Sequence, residues 1–244
     1  MPTQPSRSQI ALLKAAIFAA ALGPLSTLAM GVLYFPEWLG ANPAEFITRS
    51  TGDWTLRFLL ITLAVTPLRR LTGWNWLLRL RRMLGLYAFF YGVMHASSYA
   101  GFDQLFDFSE ILADIAKRPF ITVGFAAILL MVPLAVTSTN AMVRRLGAAR
   151  WQALHRLIYL IAPLGVLHFW WMVKRDVMEP AIYAAVLAAL LAYRVADKLT
   201  AALWRVRLGV NIRTTMQSRT RQGTSPTARW YCSPEEEQPT ERKA

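Results

Sequence analysis

Residues 151–173 read WQALHRLIYLIAPLGVLHFWWMV, an apolar run that carries one arginine and two histidines. A helix needs roughly 20 apolar residues to cross a bilayer, so this run predicts a membrane-spanning helix. Five other stretches of the chain have the same character. The six candidate spans are about 10–33, 54–68, 83–102, 120–136, 151–173 and 179–196. The sequence therefore predicts an all-α fold, a polytopic membrane bundle of about six helices.

The composition supports this class. The chain has 244 residues, 55% of them hydrophobic and only 17% charged, with a formal net charge of +13. Soluble domains carry about 25% charged residues. A nucleic-acid-binding protein would show basic stripes, whereas here the basic residues lie in short loops between apolar runs, so we expect no nucleic-acid partner. A single cysteine, Cys232, excludes a disulfide framework and a cysteine-ligated iron–sulfur cluster.

The basic residues predict how the chain lies in the bilayer. If the N-terminus is cytoplasmic, 20 of the 27 lysines and arginines fall on the cytoplasmic side and five on the opposite side. The positive-inside rule then places both termini on the cytoplasmic side of the membrane, which the family resemblance given below implies to be a bacterial inner membrane. The first span could instead be a signal peptide, but it is longer than the usual core of about 7–15 residues, which favours an uncleaved helix. We assign residues 1–204 to the membrane domain and 205–244 to a polar cytoplasmic tail, disordered or lying on the surface.

Three histidines, His95, His155 and His168, fall within or at the ends of these spans. Ionisable groups inside a bilayer are costly and point to function, although a histidine can also serve only as an interhelical hydrogen-bonding group. His95 and His168 lie near the outer ends of the third and fifth spans, and His155 lies roughly 20 Å away near the inner face. This pattern predicts that His95 and His168 ligate one heme iron from two helices. The same spread excludes a zinc site that uses all three.

Two arginines are candidate cofactor-binding residues. The residue of the third span at the depth of His155 is Arg81 or, alternatively, Arg82, and the 14 residues from Arg81 to His95 return to nearly the same helix face. Arg81 could be a second-heme ligand or a propionate partner, and a guanidinium is a poor metal ligand, so propionate pairing is favoured. Arg57, near the outer end of the second span, and Arg194, near the inner end of the sixth, could each neutralise a propionate or snorkel to the headgroups. We expect propionate contact for Arg57 and snorkelling for Arg194.

One difficulty concerns the 13-residue step between His155 and His168. On an ideal helix this step does not return to the same face. Pro163 and Gly165 lie between the two histidines and could bend the helix.

Several stretches resemble the MsrQ (YedZ) family, the heme-binding membrane subunit of a bacterial methionine-sulfoxide reductase system within the wider group of ferric-reductase-like transmembrane domains. The likeness covers about residues 10–200 and is carried by RRMLGL at 81–86, His95, KRPFITVG at 117–124, TSTN at 137–140, RRLG at 144–147, WQALHRL at 151–157 and HFWW at 168–171. The resemblance implies one or two b-type hemes ligated by His95, His155 and His168. It also implies a flavin mononucleotide (FMN), whose site the sequence does not place.

The resemblance further implies a role in electron transfer. Members of the family pass electrons from the membrane quinone pool to a periplasmic molybdenum-containing partner, MsrP, which reduces methionine sulfoxide. The chain would then be an electron-transfer subunit, and whether it is itself an enzyme stays open. The 40 or so residues after the last span contain no G-x-G-x-x-G fingerprint, so we expect electrons to come from a quinol or a separate reductase.

Two alternatives from other classes remain open. One is a stand-alone ferric or metal-chelate reductase that needs no partner. The other is a transporter whose histidines relay protons and which holds no heme. Residues 107–117 form an amphipathic segment, which we expect on the outer surface, where it could meet a partner.

Overall fold

The computed structural model describes residues 5–173 and 177–221, and within them the chain is helical with no strand. The α-helices are α1 (Arg7–Leu33), α2 (Pro43–Thr72), α3 (Leu78–Ser98), α4 (Phe108–Lys117), α5 (Pro119–Val136), α6 (Asn140–Leu146), α7 (Ala148–Leu154), α8 (Ile158–Met172) and α9 (Met178–Arg221). The predicted all-α membrane fold is therefore confirmed.

Local sequence signals account for several helix ends. Ser6 begins α1 with a capping box, in which its side chain accepts from the backbone N–H of Gln9 and the Gln9 side chain accepts from the N–H of Ser6. Asn42 caps α2 immediately before Pro43, the favoured residue for a first helical position. Gly73 ends α2 with φ +74°, a left-handed conformation that glycine adopts without steric cost.

Four of the described helical segments are long and apolar enough to cross a membrane: Arg7–Leu33, Pro119–Val136, Ala148–Met172 and Met178–Trp204. The other two predicted spans correspond to α2 and α3, which have 30 and 21 residues. Both are long enough at about 1.5 Å per residue, but both carry several arginines. The second span, predicted at 54–68, is shorter than helix α2. The helix also includes the stretches 43–53 and 69–72, whose polar residues resemble loops in the sequence. These two helices supply much of the buried core, so they depend less on apolar residues facing lipid.

The centre of the bundle is formed by two antiparallel helix pairs. In the first pair, α2 packs against α3, and a β-carbon at Gly92 or Gly85 would meet Thr55 or Thr62. The second pair is α5 and α8. Aromatic rings fill the interface of the first pair, where Phe58 stacks on both Tyr87 and Tyr91 with ring centroids 5.5 Å apart.

Helix α1 joins the bundle through two tyrosines of α3. The fully buried Tyr91 hydroxyl donates to the carbonyl of Ala21 at 2.8 Å and accepts from the N–H of Leu25 at 3.3 Å. These two groups flank Pro24, whose missing N–H weakens the helix at this point. Tyr87 donates to the carbonyl of Phe18 at 2.9 Å. The first span is thus a packed member of the bundle.

The fifth predicted span is interrupted at His155. A 3₁₀ turn, His155–Leu157, joins α7 to α8. A 3₁₀ segment turns about 120° per residue instead of about 100°, so three such residues add roughly 60° of rotation. The angular offset between the side chains of His155 and His168 around the helix axis then falls from about 140° to about 80°. The overwound turn at the histidine itself thus brings the two side chains closer to one face of the helix.

The C-terminal part of the chain continues the last helix. The chain divides into compact units 1–195 and 196–244. Helix α9 continues to Arg221, so residues 205–221 of the predicted polar tail, expected to be disordered or to lie on the surface, are helical. Residues 198–221 contain no proline, which would have ended the helix. The rest of the predicted tail, 222–244, lies outside the described residues.

The two ends of the compact unit differ in charge. We call the end that holds residues 73–77 and 137–147 the basic end, because arginines flank both loops. We call the end that holds residues 34–42 and 99–118 the acidic end, since its loops carry Glu37, Asp103, Asp107 and Glu110. His95 and His168 lie near the acidic end, and His155 lies at the basic end.

Candidate metal centre

The structure brings His95 of α3 and His168 of α8 together. Their ring centroids are 6.0 Å apart and their planes are inclined by 75°. Both side chains are half-buried between helices. The separation is small enough for a single metal ion to bind one nitrogen of each ring.

Hydrogen bonds fix the orientation of both imidazoles. His95 Nδ1 lies 2.8 Å from the carbonyl oxygen of Thr48, and His168 Nδ1 lies 2.7 Å from the carbonyl oxygen of Phe120. A carbonyl oxygen only accepts, so each Nδ1 carries the proton and donates. The Nε2 lone pair of each ring is then free to bind a metal, as in histidine ligands oriented by a backbone carbonyl.

A glycine on the neighbouring helix makes room for each ring. A β-carbon at Gly52 would lie 3.1 Å from the ring of His95, and one at Gly124 would lie 2.6 Å from Nδ1 of His168. Gly52 is four residues after Thr48, and Gly124 is four residues after Phe120. In both cases the glycine uncovers the carbonyl one turn earlier, so the imidazole can reach it. The same arrangement thus occurs in the α2–α3 pair and in the α5–α8 pair.

The donor set limits the kind of metal site. Among the described residues, no group of three or more histidine, cysteine, aspartate or glutamate side chains could hold a metal ion. A structural zinc site needs four converging ligands. Two imidazoles from opposite helices instead suit a metal whose remaining positions are filled by a macrocycle.

His155 occupies a separate site at the basic end. Its Nδ1 lies 3.0 Å from the carbonyl of Trp151, and its ring stacks on the Trp151 indole at 3.8 Å between centroids. Its Nε2 is buried and has no hydrogen-bond partner among the described residues. The backbone of Leu134 also acts on this ring. Since most buried polar atoms are paired, Nε2 is the atom of His155 that could bind a ligand.

The surroundings of His155 come from stretches that are distant in sequence. Arg82 lies over the Trp151 ring at 5.9 Å and donates to Asn140 Oδ1, while the Trp151 indole donates to the carbonyl of Thr137 at 2.9 Å. Arg81 acts electrostatically on His155, as does Arg82. The structure therefore brings Arg81 near His155, at the basic end of the bundle.

The other two arginines have defined partners. Arg57 Nε donates to the Tyr183 hydroxyl at 3.0 Å, and its guanidinium lies 4.8 Å from the Trp54 ring centroid. The expectation that Arg194 snorkels to the headgroups is wrong, because Arg194 is only 9% exposed and donates to the carbonyl of Leu63 on α2. The bundle holds this guanidinium in its interior.

Sequence reasoning missed the residues that orient the histidine pair. Gly52 and Gly124 sit within apolar or mixed helices, where a single glycine is usually a weak signal. The carbonyls of Thr48 and Phe120 leave no mark in the side-chain pattern. A search for a glycine at the depth of each histidine on a neighbouring span could have found the first two.

Comparisons with known proteins identify the family of the chain. Residues 51–166 match the family model described as ferric reductase like transmembrane component. Three relatives are each named protein-methionine-sulfoxide reductase heme-binding subunit MsrQ. The one from Herminiimonas arsenicoxydans is 58% identical over 80% of this chain and 89% of its own length. The relative from Ralstonia nicotianae is 56% identical over 80% of this chain and 90% of its own length. The relative from Azospira oryzae is 53% identical over 82% of this chain and 85% of its own length. With identities this high over most of both chains, the chain belongs to the MsrQ family.

Proposed function

We propose that this protein is a membrane cytochrome b that carries electrons from the quinone pool across the bacterial inner membrane to a periplasmic molybdenum-containing methionine-sulfoxide reductase subunit of the MsrP type. The observation that carries the proposal is the pair of oriented imidazoles, His95 and His168, 6.0 Å apart on two helices. The relatives, named as heme-binding subunits, support it.

His95 and His168 are the residues that would hold a heme iron near the acidic end. The residues fit this group because both rings have their Nδ1 bonded to a carbonyl and both are accommodated by a glycine. Heme iron, when bound, supplies one-electron oxidation and reduction. The protein orients both imidazoles before the iron binds and holds them in an apolar setting, which are the means by which a protein tunes such a centre.

His155 is the proposed ligand of a second cofactor at the basic end, an inner heme or another redox group. Its buried, unpaired Nε2 supports this role. Arg81, which acts on the same histidine, is the proposed partner of a heme propionate there. Arg57 is the proposed propionate partner at the other site, and its place on α2 nine residues after Thr48 is compatible with that role.

The direction of transfer depends on the orientation of the chain. With 20 of 27 basic residues on one side, the positive-inside rule places the basic end and both termini in the cytoplasm. The His95–His168 pair then lies toward the periplasm, on the side where an MsrP-type partner would accept electrons. FMN and quinol are part of the proposal through the resemblance alone, and no described residue is assigned to either.

An absorption spectrum of the purified protein, oxidised and dithionite-reduced, tests the proposal. We expect a b-type heme spectrum in the wild type. His95→Ala and His168→Ala should remove the same heme signal, whereas His155→Ala should leave that signal partly intact. A colourless preparation would overturn the proposal and favour a proton-relaying transporter.

The match to a ferric-reductase-like family model favours one alternative, a stand-alone metal-chelate reductase. Mixing the reduced protein with an MsrP-type subunit or with ferric citrate separates the two functions. We expect fast reoxidation by the subunit and slow reoxidation by ferric citrate. The reverse order would assign the chain to the reductases.

A further inference from the structure

Arg194 on α9 is a charged side chain in the interior of the bundle. It is 9% exposed, and a guanidinium stays protonated in proteins. A buried charge is costly unless it is paired and its donors are satisfied. The partners of Arg194 therefore indicate what it is for.

One nitrogen of Arg194 has a structural partner. Its Nη2 donates to the carbonyl of Leu63 on α2. The residue four positions after Leu63 is Pro67, which lies inside α2 and has no N–H to offer that carbonyl. Arg194 thus satisfies the carbonyl that the proline leaves unbonded. This role occupies only one of the three guanidinium nitrogens.

The other two nitrogens are unpaired. Nε and Nη1 are buried and have no hydrogen-bond partner among the described residues. The guanidinium also lies 5.0 Å from the Tyr159 ring centroid, and the Tyr159 side chain contributes a hydrogen bond to it, while Nε and Nη1 keep no partner. Buried donors are rarely left unpaired, so two on one cation point to an acceptor that the chain does not supply.

The electrostatic surroundings identify the charge of that acceptor. Among the described residues, the ionisable groups that act on Arg194 are Tyr159, Arg81 and Arg70. Arg81 places a further cation near this buried one, and its repulsion raises the cost of the buried charge unless an anion joins them. Planar guanidinium donors suit a carboxylate or a phosphate above other anions.

The position of Arg194 relates this acceptor to the His155 site. Tyr159, under the guanidinium, is one helical turn after His155, and Arg81 acts on both Arg194 and His155. The unpaired Nε2 of His155 and the unpaired donors of Arg194 thus belong to neighbouring turns of the basic half of the bundle. One bound molecule with an anionic group could satisfy both.

We propose that Arg194 binds the carboxylate or phosphate group of a cofactor held in the basic half of the bundle, between α2, α8 and α9. This inference rests on the proposed function for the presence of a cofactor. Two sources carry the required chemistry, namely the propionates of an inner heme and the phosphate of FMN.

The experiment compares cofactor content in detergent-purified full-length variants. Arg194→Gln removes the charge, Arg194→Lys keeps it without the planar fork, and Lys198→Gln is the control on an exposed residue of the same helix. Heme per protein is measured by pyridine haemochrome and flavin by fluorescence after denaturation. We expect Arg194→Gln to weaken the binding of one cofactor about 10- to 100-fold, Arg194→Lys to have an intermediate effect and Lys198→Gln to have none.

The variant that loses a cofactor shows which molecule supplies the anionic group. Loss of heme with flavin retained assigns the propionate, and loss of flavin with heme retained assigns the phosphate. In the second case the wild type should also bind FMN more tightly than riboflavin, and Arg194→Gln should abolish that preference.

Two outcomes separate this inference from the structural role and from the proposed function. If Arg194→Gln prevents folding, the double variant Arg194→Gln/Pro67→Ala is measured in its place, because alanine restores an N–H for the Leu63 carbonyl. Unchanged heme and flavin contents in a folded variant would overturn the inference and leave Arg194 as a cap for Leu63. Absence of heme from the wild type itself would overturn the proposed function instead.

Discussion

The imidazole of His168 occupies the space in which the side chain of residue 124 would begin if Gly124 were any other amino acid. A β-carbon there would lie 2.6 Å from Nδ1 and 3.0 Å from Cγ of the histidine. The ring is also held by the carbonyl of Phe120, so it cannot move away without losing that bond. The same relationship, with more space, joins Gly52 to His95.

We predict a graded loss of heme when these glycines are replaced by alanine. Gly124→Ala should displace His168 and remove most of the heme, at a cost of about 1–3 kcal/mol in stability from overpacking. Gly52→Ala should have a smaller effect, since its β-carbon would lie 3.1 Å from the ring of His95. Heme content and the reduced absorption spectrum measure both.

Gly85→Ala is the matched control for this series. Its β-carbon would meet only Thr62 at 3.8 Å, an ordinary contact, and alanine favours the helix. We expect full heme content and equal or slightly higher thermal stability. Equal losses in all three variants would show that the glycines matter for packing in general and have no specific link to the imidazoles.

The Tyr91 hydroxyl should stabilise the docking of α1. Tyr91→Phe leaves the Ala21 carbonyl and the Leu25 N–H without the hydroxyl that joins them, and we expect a loss of about 1–3 kcal/mol. Tyr87→Phe removes a single bond, to the carbonyl of Phe18, and should cost less. Thermal unfolding in detergent measures the difference. A larger effect of Tyr87→Phe would contradict the bridging role of Tyr91.

Asp114 should hold the loop at the acidic end in place. This carboxylate is 9% exposed, accepts from the Tyr99 hydroxyl and from Gln104 Nε2, and pairs with Arg118 at 3.3 Å. We expect Asp114→Ala to release the loop and to speed limited proteolysis between residues 99 and 107. Glu110→Gln, an exposed position on the same helix, is the control and should behave as the wild type.

The orientation of the chain can be measured by cysteine labelling. In a Cys232→Ser background, Ala41→Cys lies at the acidic end and Ala149→Cys at the basic end, and both positions are exposed. A membrane-impermeant maleimide added to whole cells should label residue 41 and spare residue 149. The opposite pattern would reverse the proposed direction of electron transfer.

Sequence patterns were sufficient for the parts of the structure that depend on helical periodicity. The first and fourth spans match α1 and α5 within three residues at each end, because apolar runs define them. The depth of each histidine followed from counting residues along antiparallel helices. That count predicted which two rings would meet, and the structure places His95 and His168 together.

The features that sequence did not predict depend on contacts between helices. The depth of Arg194 in its span suggested that it reaches the headgroups. In the structure it instead donates to the carbonyl of Leu63, which Pro67 leaves without a helical N–H partner. Helix α2 was predicted too short because its polar ends resemble loops. The 3₁₀ turn at His155 has no periodic signal, since three residues are too few to show one.

The orienting bonds of the histidine pair have a consequence for how the site tolerates mutation. Each imidazole is held by a main-chain carbonyl, of Thr48 or of Phe120, and no side-chain substitution at those positions removes the acceptor. Random mutation can therefore vary residues 48 and 120 widely, provided that the helix persists. Selection on this pair of bonds acts instead on Gly52 and Gly124, one helical turn further along, because a β-carbon at either position would collide with the imidazole.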